Sequence, residues 1–103
     1  MIAATVQDLR IEREHVLQRN QDGVPIVTAE CYVFKPKRAG AFDPDAFRGM
    51  INELKKRVPE YDRSFNDETK FWGVRVEHRE VLAELFENFE GAEEAVKSQL
   101  VMF

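Results

Sequence analysis

A concentration of cations in the middle of the chain is its most chemically suggestive feature. Lys35, Lys37 and Arg38 fall together, Lys55, Lys56 and Arg57 are consecutive, and Arg63, Lys70 and Arg75 follow. Ammonium and guanidinium groups gathered on one surface neutralise phosphates, and the released counterions make such binding salt-dependent. Residues 35–79 carry eleven basic and eight acidic side chains, a balance of +3. Residues 1–34 stand at -2 and residues 80–103 at -5, inside a chain of net charge -4. A basic middle and an acidic end make an oriented field rather than a uniformly acidic particle. The plainer alternative is that these cations are solvated faces balancing the glutamates.

Other chemistry finds less support. His15 and His78 are the only histidines. A zinc site would need further ligands, and only carboxylates are plentiful, so no metal is expected. His78 between Glu77 and Glu80 reads as part of a helix start. Cys31, flanked by Glu30 and Tyr32, has no base beside it in sequence and reads as a buried structural thiol. Ser64 and Ser98 sit in no nucleophile-elbow motif. Glu80, Glu84 and Glu87 fall on one exposed helical face, not in a converging acid–base pair. No GxxxxGK[ST] sequence occurs, so there is no nucleotide-driven motor. We expect no enzyme, no catalytic residues and no cofactor.

The elements that must position these residues belong to one domain. The chain has 103 residues, 44% apolar and 33% charged, with eight Phe. That is enough for one hydrophobic core and leaves little room for a second. No apolar run approaches the about 18 residues of a membrane span. Met1–Ala4 is too short and uncharged for a signal peptide. A single cysteine excludes an internal disulfide and fits a reducing, intracellular (cytoplasmic) compartment.

Asp22-Gly23 marks a hairpin turn, since both residues tolerate positive φ. In its second arm the alternate positions Val27, Ala29, Cys31 and Val33 are expected to face the core. In the first arm Val6, Leu9, Arg13, Val16 and Leu17 also fit a helix face; we prefer strand, because the turn needs a partner arm. Lys35 to Gly40 reads as a basic loop. Asp43 and Pro44 start a helix whose apolar residues are Phe47, Met50, Ile51, Leu54 and Val58, and Pro59 closes it. Tyr61 to Val76 reads as a second hairpin turning at Asn66–Thr69. There Gly73 is a place for another backbone to approach closely. A second helix is expected from about His78 to Phe89, ended by Gly91, with a short third helix from Ala92 to Phe103.

Within this stretch Asp67, Glu68, Thr69, Lys70 and Trp72 form a pattern. With the helix before it and Leu82 and Leu85 after it, it resembles the HARP-type module found beside annealing helicases of the SNF2 class. The family pattern is aspartate, any residue or proline, glutamate, threonine, lysine, any residue, tryptophan; here Glu68 follows Asp67 directly. The resemblance covers about residues 45–89. It implies a small α+β module that helps recognise branched or single-stranded DNA and has no catalytic residues of its own.

The expected architecture is α+β, about ββαββα, an antiparallel sheet with two helices on one face. The leading expected function is a non-enzymatic nucleic-acid-binding accessory module using Lys35, Lys37, Arg38, Lys55, Lys56, Arg57 and Lys70. Trp72 takes a structural role in the core. The alternative is a protein-interaction subunit or inhibitor, a homodimer or a chain docked on a larger assembly. Its contact would be the apolar end of residues 90–103, Leu100, Val101, Met102 and Phe103.

Overall fold

The computed structural model describes residues 4–38 and 44–101, with the side chains of Arg38, Leu100 and Val101 excepted. Strands β1 (Ala4–Arg19) and β2 (Pro25–Arg38) form a long hairpin, and helix α1 (Pro44–Arg57) follows. A 3₁₀ turn (Glu60–Asp62) leads into β3 (Arg63–Phe65) and β4 (Trp72–Arg75). A second 3₁₀ turn (Val76–His78) precedes α2 (Arg79–Leu85) and α3 (Phe89–Val101). The strands make one antiparallel sheet in the order β1-β2-β4-β3. The architecture is therefore the expected α+β domain, and the short third helix starts at Phe89 rather than Ala92. No helix among the described residues is long and apolar enough to cross a membrane.

Each hairpin is closed by an asparagine. Asn20 Oδ1 accepts from Asp22 N at 2.9 Å and Val24 N at 3.0 Å, while Gly23 takes φ +80°. Asn66 Oδ1 accepts from Glu68 N at 2.9 Å and Thr69 N at 3.1 Å in the same way. A short amide side chain that bonds the backbone two to four residues ahead fixes the turn locally. The first arm is strand, as preferred. Its weak alternation has a cause: β1 shifts register against β2 four times, and Asp8 sits at φ 55°. Each bulge bends the strand and strengthens its twist.

The core lies between the sheet and the helices. Tyr32 is opposite Val74, and Phe34 is opposite Trp72, so all four point to the helix side. Met50, Leu54 and Val58 come down from α1 and its end, Val81 and Leu82 from α2, and Phe86 and Phe89 from the segment beyond. Edge-on ring pairs lock the layer: Tyr32–Phe89 at 5.1 Å and Phe34–Phe86 at 5.2 Å. Each such pair adds about 0.5–1.5 kcal/mol beyond its burial.

Several local expectations are corrected. Cys31 and Val33 are buried, but on the face away from the helices, and Val27 and Ala29 are only half-buried. The curl of β1 covers that face, so β2 is buried on both sides where the two meet. Lys35–Arg38 is not a loop; it continues β2 opposite Ala4–Gln7. Pro36 is tolerated there because its partner Val6 turns its own backbone away from β2. Val6 N–H donates to Asn88 Oδ1 at 2.8 Å, and Val6 O accepts from Asn88 Nδ2 at 3.0 Å.

The same Asn88 explains the helix boundary. The expected single helix to Phe89 ends at Leu85, and Phe86 is extended. Asn88 O accepts from Ala92 N at 3.0 Å, starting α3, while its side chain holds the β1 edge. Gly91 therefore lies inside α3 instead of ending a helix. Asp43 lies outside the described residues.

Candidate nucleic-acid interface

On the helix side, the end of the sheet and α1 enclose an open groove of about 860 Å³. Lys35 and Lys37 border it at the end of β2, and Lys55 lines it from α1, Arg63 from β3 and Lys70 from the β3–β4 turn. Its floor is apolar: Pro36, Phe47, Ile51, Phe65 and Trp72. Among the described residues that line it there are five cations and no carboxylate.

The local fold places each group. Phe65 and Trp72 are partners across the β3–β4 ladder, so both point to the helix side, with centroids 5.0 Å apart. Trp72 is 6% exposed and anchors the floor, whereas Phe65 is 47% exposed. Lys55 Nζ stands 6.0 Å from the Trp72 ring and Lys70 Nζ 5.9 Å from Phe65. Lys70 is the one non-glycine besides Asp8 among the described residues with positive φ, at 66°. That backbone turn swings its side chain back over the hairpin, where it also pairs with Asp67 at 3.0 Å. Arg63 is pinned by its Nε donating to Val58 O at 3.1 Å.

Four of the seven cations expected from sequence thus converge on one groove. Lys56 is exposed and does not line it. Arg57 pairs with Glu84 of α2, away from the groove. Arg38 has only its backbone described. The side chains of Leu100 and Val101, and all of Met102 and Phe103, lie outside the described residues. The sequence reading named Arg63 only within the wider set of cations and missed Phe65 as a site residue. The turn at Asn66–Thr69 contained the signal, because it pairs Phe65 with Trp72 once the hairpin register is counted.

Two further polar clusters are structural. Glu93, assigned in sequence to the acidic end, is 5% exposed. It accepts from Arg79 Nε at 2.9 Å and Tyr32 Oη at 2.5 Å, and Lys97 Nζ stands at 3.3 Å. The Arg79 hydrogen bond, opposed by burial and helped by Tyr32 and Lys97, brings the Glu93 carboxyl down to about 2. Burial and the hydrogen bond to Glu93 push the Tyr32 hydroxyl well up. The second cluster joins Asp62, Glu77 and His78, whose ligand atoms lie within 4.8 Å of one another. Arg75 already supplies the cation there, at 3.5 Å from Asp62 and 3.0 Å from Glu77. His78 makes no cap; it pairs with Asp62 at 2.8 Å.

Gly73 does admit a close approach, but of a side chain. His15 crosses over it from β1 to meet Ser64 at 2.7 Å, although the two are 49 residues apart. No family model, curated protein or solved structure matches this chain.

Proposed function

We propose that the chain is a nucleic-acid-binding module that seats a single strand in the groove on the helix side. The observation that carries this is that Lys35, Lys37, Lys55, Arg63 and Lys70 all line the groove that holds the exposed ring of Phe65, with no carboxylate among the described lining residues. Phosphates meet the ammonium rim, and a base stacks on Phe65, braced from beneath by Trp72. Base–aromatic stacking contributes about 1–3 kcal/mol per base and tolerates any sequence. A single strand suits the groove because its bases are free to splay, whereas duplex stacking hides them. The likeness of Asp67–Trp72 to the HARP-type motif supports the same reading, including a preference for branched or single-stranded DNA. The net charge of -4 makes the binding local and salt-sensitive.

Fluorescence anisotropy with labelled single-stranded, forked and duplex oligonucleotides at low salt tests it. Single-stranded and forked DNA should bind tighter than duplex, and Phe65→Ala should remove most of that preference. Binding to none of the three would end the nucleic-acid reading and leave the protein-interaction alternative.

A further inference from the structure

We propose that Ser64 is an activated nucleophile for acyl transfer, with His15 as its general base and Glu12 positioning the imidazole. The group lies on the back of the sheet, the face opposite the groove, although Phe65 and Trp72 border both, and it does not rest on the nucleic-acid reading. Ser64 Oγ is 2.7 Å from His15 Nε2, and His15 Nδ1 is 2.9 Å from Glu12 Oε1. Arg10 Nε donates to the other carboxylate oxygen, Glu12 Oε2, at 2.6 Å. Nucleophile, base and orienting carboxylate therefore stand in the order and within the reach that serine activation requires.

The protonation pattern follows from the acid. Burial alone would raise the Glu12 carboxyl; hydrogen bonds from His15 and Arg10 outweigh it and hold the group below its ordinary value. An ionised carboxylate only accepts, so in the neutral ring Nδ1 carries the hydrogen and Nε2 turns its lone pair to the Ser64 hydroxyl. The same carboxylate stabilises the imidazolium formed when Ser64 gives up its proton.

Packing supports the arrangement. Gly73 is the ladder partner of Ser64, and a Cβ there would lie 2.4 Å from His15 Nε2 and 2.6 Å from Ser64 Oγ. Glycine leaves the room in which ring and hydroxyl meet. The three groups line a concavity of about 870 Å³ open to solvent, so a ligand can reach Ser64. A clasp that merely held the curl of the sheet would need the ring and the hydroxyl. It would not need an ionised acid behind the ring, itself tied down by an arginine.

The chemistry balances as hydrolysis of an ester. Ser64 Oγ attacks the carbonyl carbon while its proton moves to Nε2. The carbon–oxygen bond to the leaving group breaks, and the alkoxide takes that proton. Water then attacks the acyl-serine, gives a proton to Nε2, and releases the carboxylic acid as Ser64 Oγ recovers the proton. The substrate class is a small ester with a good leaving group, because the cluster itself supplies only nucleophile, base and orienter.

The test uses the full chain with a fluorophosphonate probe, digestion and peptide mass spectrometry. Ser98, exposed on α3, is the comparison within the same molecule. Ser64 should be labelled about 10²-fold faster than Ser98, the lower end of what a positioned base supplies. Hydrolysis of p-nitrophenyl acetate should fall by the same factor in Ser64→Ala. Glu12→Gln should slow labelling about tenfold or more with circular dichroism unchanged, since a carboxamide favours the wrong ring tautomer. Glu12→Asp should recover part of the rate. Equal labelling of the two serines, or ester hydrolysis indifferent to Ser64→Ala, overturns the proposal. Labelling unchanged in Glu12→Gln overturns the role of the carboxylate.

Discussion

Acid should unfold this protein through Glu93 in particular. The carboxyl is brought from its ordinary 4.5 to about 2, chiefly by the Arg79 hydrogen bond, with Tyr32 and Lys97 adding to it. A folded value below the unfolded one means that the ionised form favours folding. The contribution is complete above about 4.5, declines as pH falls, and is gone below about 2. At about 1.4 kcal/mol per unit of pH, the full difference corresponds to about 3 kcal/mol. Arg79 keeps 35% of its side chain exposed, so water screens the pair. Solvent screening reduces the expected contribution to about 1–2 kcal/mol. Glu93→Gln keeps the volume and the Tyr32 contact but removes the charge. Urea unfolding of wild type and Glu93→Gln at pH 7, 4.5 and 2 measures the effect. Wild type should be the more stable by about 1–2 kcal/mol at pH 7 and at pH 4.5, and the gap should close by pH 2. A gap of the same size at pH 7 and pH 2 would refute the argument, because packing rather than charge would then account for it.

Other outcomes follow from the packing. Trp72→Ala should cost about 3–5 kcal/mol by truncating a buried aromatic that floors the groove, read as a lowered urea midpoint. Gly73→Ala should expel the His15 ring from Ser64 and cost about 1–3 kcal/mol, and the penalty should shrink in a His15→Ala background. Cys31 is fully buried, and burial pushes its thiol up to about 11. It should react with a disulfide reagent at pH 7 only at the rate of unfolding; rapid labelling of the native chain would contradict its placement. Lys56→Glu should leave oligonucleotide affinity nearly unchanged, although its neighbour Lys55→Glu weakens it.

What the sequence could reveal depended on how locally each feature is encoded. Asn20, Gly23 and Asn66 make their turns with atoms two to four residues away, so both hairpins were legible. Helix α1 was legible because Met50, Leu54 and Val58 keep one period between Pro44 and Pro59. The inward face of β2 was not, since Cys31, Tyr32, Val33 and Phe34 are all apolar and all buried. Alternation cannot choose a face when both are covered. The break at Phe86 was hidden because Leu82, Leu85, Phe86 and Phe89 continue a helical stripe through it. What breaks the helix is the side chain of Asn88, whose partner Val6 is 82 residues away. The cations of the groove were visible as types, but their sorting was tertiary. Arg57 is drawn off by Glu84, and Arg63 is drawn in by the Val58 carbonyl.

The most direct test of the groove is the salt dependence of single-strand binding in wild type and in a Lys35→Ala/Lys55→Ala pair, with Lys56→Ala as comparison. Three to five phosphate contacts give a slope of log affinity against log salt of about -2 to -3.5, at about 0.7 per contact on a single strand. Losing two contacts should flatten the slope by about 1.4 and weaken binding to every sequence alike. Lys56→Ala should keep the wild-type slope. A wild-type slope near zero, or an equal loss from Lys56→Ala and the paired variant, would contradict the account.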